Sequence, residues 1–298
     1  MSRVLAAIDL SEGSNEALRQ AHHYAVQTKG ALAVVHVVPD MVGTHTLFPQ
    51  ETAPATLGVL ELKQKVADLL SERVTTVTGR KADEVEVFVD EGVDYAQITR
   101  RAEEWRADVV VIGTHGHGGL ERVFGDVADK VVRYAHAKVL VARTAEGTGP
   151  VVAATDLSDP SLPAIAAGAE EAKRLGAPLH VVHAIDATGG TYFSALAAAF
   201  GAPPVIPSAE IQEQARKALQ TTLENAIQRI GAKGEAVILD GAPVVEIVRY
   251  AEKHHARTLV VATHGRTGLR RIALGSVAEK VIRSAHCPVL VARFEPPR

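Results

Sequence analysis

The sequence predicts an α/β protein made of two copies of one doubly wound domain. Short apolar runs alternate with segments of helical periodicity along the chain, the pattern of a parallel sheet covered by helices on both faces. The run DVVVIGTHGH at 108–117 is repeated as TLVVATHGR at 258–266. Asp156 lies 147 residues after Asp9, and Arg293 lies 150 residues after Arg143. Because this offset barely drifts, the whole domain is duplicated rather than one motif.

Five strands are predicted in each copy because five short, β-branched runs are apolar on both sides. In the first copy these runs are 4–8, 32–38, 85–89, 109–112 and 139–141. In the second copy they are 151–155, 179–185, 236–239, 259–262 and 289–291.

A helix is predicted between the first two strands of each copy, where apolar residues recur at helical spacing and a glycine follows as a stop signal. The first copy supplies Ala17, Leu18, Ala21 and Ala25, with Gly30 after them. The second copy supplies Ala164, Ile165, Ala169 and Ala172, with Gly176 after them.

The boundary between the two domains is predicted in the linker TAEGTGP at 144–150, which gives domains at 1–146 and 150–298. Because this linker is short, we expect the domains to pack together. Two segments, 39–60 and 186–208, fit no regular element. Segments of this length usually carry function, and lids, dimer contacts and plain surface excursions all remain open.

Composition excludes several classes of protein. Hydrophobic residues make up 47% of the chain and charged residues 22%, and the net charge is −3 without any lysine or arginine block. Nucleic-acid and membrane-surface binders usually carry such a block. One cysteine, Cys287, allows no disulfide framework. No run has the length of a signal peptide or membrane span, so we expect a cytoplasmic protein.

The candidate site lies where the first and fourth strands of each copy end. Asp9 and Asp156 follow the first strands, and glycine-rich turns begin at Gly113 and Ala262 after the fourth strands. Ligands of open parallel sheets bind outside the carboxyl ends of the strands, where strand order reverses. A carboxylate facing loop amides suits a nucleotide, since the carboxylate accepts from ribose or adenine and the amides bind phosphate.

These residues resemble the universal stress protein family in its tandem two-domain form. Nucleotide-binding members share a glycine, two residues, a second glycine, nine residues, and then a glycine with serine or threonine. The second copy has Ala262 in place of the first glycine, then Gly265, nine residues, and Gly275-Ser276. The run THGRTGLRRIALGSVAEKV, followed by CPVLVAR, carries the resemblance. The family fold implies strand order 3-2-1-4-5 in each domain.

The resemblance also implies the residues that bind adenine nucleotide, ATP first among them, with or without magnesium. In the second copy Asp156 would contact adenosine, the backbone of Ala184 would meet the adenine edge, and Gly265, Gly275 and Ser276 would surround the phosphates. The remaining positions of this second site are Val261, Ala262, Arg266 and Val277. Ser276 and Glu279 have the spacing of a capping box, and a helix N-terminus attracts phosphate.

The first copy departs from the family pattern. Only eight residues separate Gly116 from Gly125, and Asp126 replaces the serine. Asp126 is a competent helix cap, so its carboxylate would compete with phosphate for the same amides. We therefore expect weak or lost binding at the first site, whose residues are Asp9, Val37, Gly113, Gly116, Gly125 and Asp126. A metal held by Asp126 remains open.

Other signals favour structural roles. The histidine pairs lack carboxylate or thiol companions at the spacing of metal ligands, His36 and His183 should satisfy local polar groups, and Cys287 should be a small buried residue. There is no P-loop motif and no activated nucleophile. The sequence therefore predicts a nucleotide-binding stress sensor or regulator, and a slow magnesium-dependent ATPase and a scaffold with vestigial sites remain alternatives. The resemblance further implies a pseudo-dimer of the two copies through their last strands, a homodimer of chains, and a regulatory protein partner.

Overall fold

The computed structural model describes residues 1–40, 52–114, 124–144, 147–185, 209–263 and 274–293. The chain divides into two compact units, Met1–Thr144 and Ala145–Arg298. Within the described ranges, no helix has the length and apolarity needed to cross a bilayer.

The first unit is a five-stranded parallel sheet with helices between its strands. Its strands are β1 Arg3–Ala7, β2 Ala31–Val38, β3 Glu86–Glu91, β4 Val109–Gly113 and β5 Lys138–Ala142. Its helices are α1 Asn15–Gln27, α2 Thr52–Thr78, α3 Asp94–Glu104 and α4 Asp126–Tyr134. The strand order is β3-β2-β1-β4-β5, the order that the resemblance implied.

The second unit repeats this topology with the order β8-β7-β6-β9-β10. Its strands are β6 Val151–Ala154, β7 Leu179–Ile185, β8 Glu235–Asp240, β9 Thr258–Ala262 and β10 Val289–Ala292. Its helices are α5 Pro163–Leu175, α6 Ala209–Arg229, α7 Pro243–Lys253 and α8 Ser276–Ser284. All ladders in the unit are parallel.

The ten predicted strands are confirmed, with ends that differ by at most two residues. One expectation about the connecting segments is wrong, because α2 begins at Thr52 and therefore makes the last part of segment 39–60 helical. The residues 41–51 and 186–208 lie outside the described residues, so the lid and dimer-contact hypotheses for them stay predictions.

The helix α5 packs closely on the sheet because it presents a glycine to it. A Cβ added at Gly168 would come within 2.8 Å of the Cβ of Ala153 on β6. Gly168 is buried, whereas Ala169, one of the residues in the predicted apolar repeat, is only half-buried. The predicted stop is confirmed, since Gly176 ends the helix with a φ of 60°, a conformation that glycine adopts without steric cost.

In each unit the first strand separates the two halves of the sheet. β6 pairs with β7 on one side and with β9 on the other, and β1 pairs likewise with β2 and β4. The chain winds in opposite directions from this central strand, so the switch point lies at the carboxyl ends of β6 and β9 in the second unit. The predicted site residues follow these two ends.

Candidate functional site

The turn after β6 fixes the carboxylate of Asp156. Its Oδ1 accepts hydrogen bonds from the backbone N–H of Ser158 at 3.0 Å and from the Ser158 hydroxyl at 2.5 Å. Leu157 between them has a φ of 64°, and such left-handed backbone is strained for a leucine. A strained residue next to a predicted ligand contact is typical of a functional site.

The first unit repeats the turn with the same strain. Asp9 Oδ1 accepts from the Ser11 backbone N–H at 3.1 Å and from its hydroxyl at 2.6 Å, and Leu10 also has a φ of 64°. Two copies with different neighbours thus keep one unfavourable conformation, so the turn itself orients the carboxylate.

The two turns are stabilised by different contacts. In the first unit Arg73 of α2 donates to the carbonyls of Leu10 and Ser11 at 2.9 and 3.1 Å, and to the side chain of Asn15 at 2.8 Å. In the second unit Thr155 Oγ1 accepts from the backbone N–H of Leu157 at 3.0 Å and lies 2.7 Å from the hydroxyl of Ser161. A charged clamp in one copy is therefore replaced by a hydroxyl network in the other.

The histidine near the end of the second strand ties that strand to the first. Nδ1 of His183 lies 2.8 Å from the carbonyl of Thr155, and Nδ1 of His36 lies 2.8 Å from the carbonyl of Ile8. Both histidines satisfy local polar groups, as predicted. The carbonyls they contact come directly before the two aspartates, which sequence reasoning did not foresee.

The start of α8 lies at the carboxyl end of β9. The backbone N–H of Gly275 donates to the carbonyl of Thr263 at 2.8 Å, which closes the base of the glycine-rich loop. Gly275 is the N-cap of α8, and no side chain among the described residues caps this helix. The predicted capping box is therefore wrong: Ser276 is the first helical residue, and Glu279 instead pairs with Arg283 at 3.4 Å.

The start of α4 has the same backbone but a different charge. Gly125 is its N-cap, and its N–H donates to the carbonyl of Thr114 at 3.0 Å. The expectation that Asp126 caps the helix is wrong, because its carboxylate bonds Lys130 at 2.7 Å and its side chain is 77% exposed. The negative charge stays in the first turn without occupying the amides.

The other predicted positions are divided between the sheet edge and the undescribed loops. Gly113, Val37 and Ala184 are half-exposed where their strands end, whereas the side chains of Val261 and Ala262 are buried in β9. Val277, in the first turn of α8, is exposed. The three predicted loop contacts, Gly116, Gly265 and Arg266, lie outside the described residues.

Sequence reasoning missed Arg73 and Arg293. Arg73 is 63 residues from the turn that it clamps, and no motif indicates so distant a contact. Arg293 directly follows β10, whose neighbour is β9, and burial lowers its pKa to about 10. At this pKa the guanidinium stays a cation at neutral pH, so it adds positive charge to the same edge of the sheet. The repeat of Arg143 as Arg293 was its only sequence signal.

A second polar cluster lies at the opposite end of β7. Nδ1 of His180 lies 2.8 Å from the hydroxyl of Tyr250, and its Nε2 lies 3.5 Å from a carboxylate oxygen of Glu235. The ring of His254 stacks on Tyr250 at 4.1 Å between centroids. Burial lowers the pKa of His180, Glu235 raises it and His254 lowers it further. Burial also raises the pKa of Tyr250.

Among the described residues, no group of three or more histidine, cysteine, aspartate or glutamate side chains could hold a metal ion. The prediction for Cys287 is confirmed, since this small residue is buried and forms no disulfide with any described residue. Burial lowers the pKa of His22, and Arg80 and His23 lower it further. A positively charged His22 is thereby disfavoured.

Comparison with known proteins gives one family. The universal stress protein family matches residues 1–143 and 148–293. A universal stress protein of Methanocaldococcus jannaschii is 40% identical over 143 residues, which cover 48% of this chain and 81% of that protein. One from Mycobacterium tuberculosis is 29% identical over 309 residues, covering 97% of this chain and 96% of that protein.

Solved structures of low identity share the fold. The crystal structure of a universal stress protein from Archaeoglobus fulgidus has a TM-score of 0.64 at 19% identity, covering 98% of each chain. A functionally unknown protein from Pseudomonas aeruginosa has a TM-score of 0.62 at 18% identity, covering 98% of this chain and 92% of its own. At these identities the likeness concerns the fold alone.

Proposed function

The chain belongs to the universal stress protein family, and from that premise we propose that its second unit binds an adenine nucleotide, with ATP as the first candidate. The protein then acts as a nucleotide-responsive sensor or regulator in the stress response. One observation carries the proposal: β6 and β9 are parallel neighbours, so Asp156 and the start of α8 flank one crevice at the switch point.

The two sides of this crevice suit the two ends of a nucleotide. On one side, Asp156 presents an oriented carboxylate to ribose or adenine donors. On the other side, the first turn of α8 has amides that no side chain in the described part of the chain caps, and such amides with the helix dipole attract phosphate. Arg293 adds a half-buried cation at the same edge. The family pattern of Gly265, Gly275 and Ser276 agrees with this orientation.

We propose that the first unit binds nucleotide weakly or not at all. Its Asp9 turn and the start of α4 have the same backbone as in the second unit. Its first helical turn, however, carries Asp126 and Asp129, where the second unit carries Ser276 and Glu279. A carboxylate next to the phosphate-binding amides repels a polyphosphate, and its exposure weakens this repulsion without removing it.

Magnesium, where present, would be held through the phosphates of the nucleotide rather than by a dedicated protein site. The described residues contain no cluster of side chains that could hold a metal ion, which supports this proposal. Any hydrolysis would then be slow, because the sequence contains neither a P-loop motif nor an activated nucleophile. We also expect a cytoplasmic homodimer with a regulatory protein partner, and light scattering tests the dimer.

Mass spectrometry of the gently denatured protein tests the main proposal, since a nucleotide bound in the cell should copurify. Retained ATP supports a sensor, whereas ADP indicates turnover. Calorimetric titration with ATP, in the presence and absence of magnesium, then gives the stoichiometry. One site per chain is expected, and the absence of any binding at millimolar ATP contradicts the proposal.

A further inference from the structure

The ring of His183 lies where β6 and β7 stop pairing. The regular register of these strands ends at Ala154 and Val182, and the backbone N–H of Thr155 makes one more bond to the Val182 carbonyl at 3.0 Å. The next tie is the imidazole of His183, whose Nδ1 lies 2.8 Å from the carbonyl of Thr155. Because a carbonyl only accepts, Nδ1 carries the hydrogen and donates.

This hydrogen bond joins the two strand ends that flank the proposed adenosine site. The carbonyl of Thr155 belongs to the peptide unit that leads into Asp156. The backbone of His183 leads directly into Ala184, whose peptide is the proposed adenine contact. The ring therefore sets the distance between a carboxylate on one strand end and a peptide on the next. Its burial, with 6% of the residue exposed, shields the bond from competing water.

The first unit contains the equivalent hydrogen bond, but a different residue provides its carbonyl. Nδ1 of His36 lies 2.8 Å from the carbonyl of Ile8, although Ile8 replaces Thr155 and shares none of its side-chain hydrogen bonds. The bond therefore depends on the backbone carbonyl and not on the side chain of the residue that provides it. In both units the carbonyl stands directly before an aspartate in a strained turn.

We propose that His183 is a positioning residue of the nucleotide site, which fixes Asp156 relative to Ala184 through the Thr155 carbonyl. This inference rests on the proposed function of the second unit. His183 does not itself contact the nucleotide. Its imidazole N–H replaces the backbone hydrogen bond that the diverging strands no longer make, and so keeps the adenosine end of the crevice at one width.

Three variants of the full-length chain test the role by calorimetric titration with ATP. His183→Leu introduces an apolar side chain of similar size and removes the hydrogen-bond donor. The affinity for ATP should fall by about tenfold or more, because Asp156 and Ala184 are then no longer placed to contact the nucleotide together. His183→Asn places an amide N–H near the position of Nδ1 and should restore most of this loss. His180→Leu is the matched control, since it removes a histidine from the other end of β7, and should leave affinity within about twofold.

The tautomer of His183 gives a readout that does not depend on ligand or on variant stability. Nitrogen NMR of the ring in the unliganded wild type should show a protonated Nδ1, and an unprotonated Nδ1 overturns the inference. Equal ATP affinity of wild type and His183→Leu, or failure of His183→Asn to bind better than His183→Leu, also overturns it. If wild type binds no ATP, the proposed function fails and this inference fails with it. If wild type binds ATP and His183→Leu binds it equally well, only this inference fails.

Discussion

Gly275 donates its backbone N–H to the carbonyl of Thr263 at 2.8 Å, and this bond joins the end of β9 to the start of α8. The first unit makes the equivalent bond between Gly125 and Thr114 at 3.0 Å. The loop closed by this second bond is one residue shorter. The missing residue therefore leaves the base of the loop unchanged, and the two loop bases differ instead in the residue that opens the helix, Ser276 or Asp126.

Replacing Gly275 with leucine should strongly weaken nucleotide binding. Its φ of −60° and ψ of 140° are accessible to any residue, so the backbone tolerates a side chain and the helix should still form. The leucine would, however, cover the first-turn amides and exclude phosphate. Titration with ATP should show an affinity loss of at least about tenfold, or about 1.4 kcal/mol.

Gly125→Leu is the matched variant in the first unit. An added Cβ there would lie 3.4 Å from the carbonyl of Thr114, an ordinary contact, so this unit should also fold. ATP affinity should stay unchanged, because the second unit dominates binding. An affinity loss on Gly125→Leu with none on Gly275→Leu would reverse the assignment of the two sites.

Exchanging the first residues of α4 and α8 should weaken ATP binding in the second unit and strengthen it in the first. Ser276→Asp places a carboxylate in the first turn and should weaken ATP binding by repulsion, more strongly at low than at high salt. Asp126→Ser should in turn reveal a second, weaker binding event. Titration at two ionic strengths measures both effects, and a Ser276→Asp loss that salt does not reduce would point to shape rather than charge.

The fold follows from local patterns, and so it was predictable from the sequence. Each strand is a short apolar run, and the helix between the first two strands of each unit repeats small apolar residues on one face. The start of α2 at Thr52 was missed, because its first turns contain proline, glycine and threonine, which are weak helix formers.

The site was predictable only where it depends on chain neighbours. Asp156 and Gly275 were identified because each lies in a duplicated motif next to a strand. The clamp by Arg73 was not, because it joins residues far apart in sequence. The role of Ser276 was misjudged by one position, since a serine before a helix and a serine at its first residue are indistinguishable without the backbone angles.

Breaking the buried ion pair on α5 should strongly destabilise the second unit. Glu171 is 1% exposed and accepts from Arg174 at 2.5 and 2.8 Å and from the Thr258 hydroxyl at 3.2 Å. Arg174→Met leaves this carboxylate buried without its cation, which costs about 3–5 kcal/mol of unfolding free energy. Urea denaturation followed by circular dichroism measures the loss.

Glu171→Gln is the control for that loss. It keeps an acceptor for Thr258 but removes the buried charge, and Arg174, which is partly exposed, can recruit water. The loss of unfolding free energy should therefore be clearly smaller in Glu171→Gln than in Arg174→Met. Equal costs would show that the charge of Glu171 is not what makes the unpaired site unfavourable.

The stability of the second unit should fall in mild acid because of His180. Burial and His254 lower the pKa of this histidine below its ordinary value of 6.5, while Glu235 opposes them. The unfolded chain then binds the proton more tightly, so the stabilisation is complete above about pH 6.5 and is lost as pH falls towards the lower pKa of the folded chain.

Urea unfolding at pH 7.5 and 5.5 measures the slope of the unfolding free energy against pH, which should be smaller in His180→Gln because an amide does not titrate. Fluorescence of Trp105, the single tryptophan, follows the first unit, where His22 has a pKa shifted in the same direction, and separates its contribution. An equal slope in His180→Gln and wild type would assign the acid sensitivity to other groups.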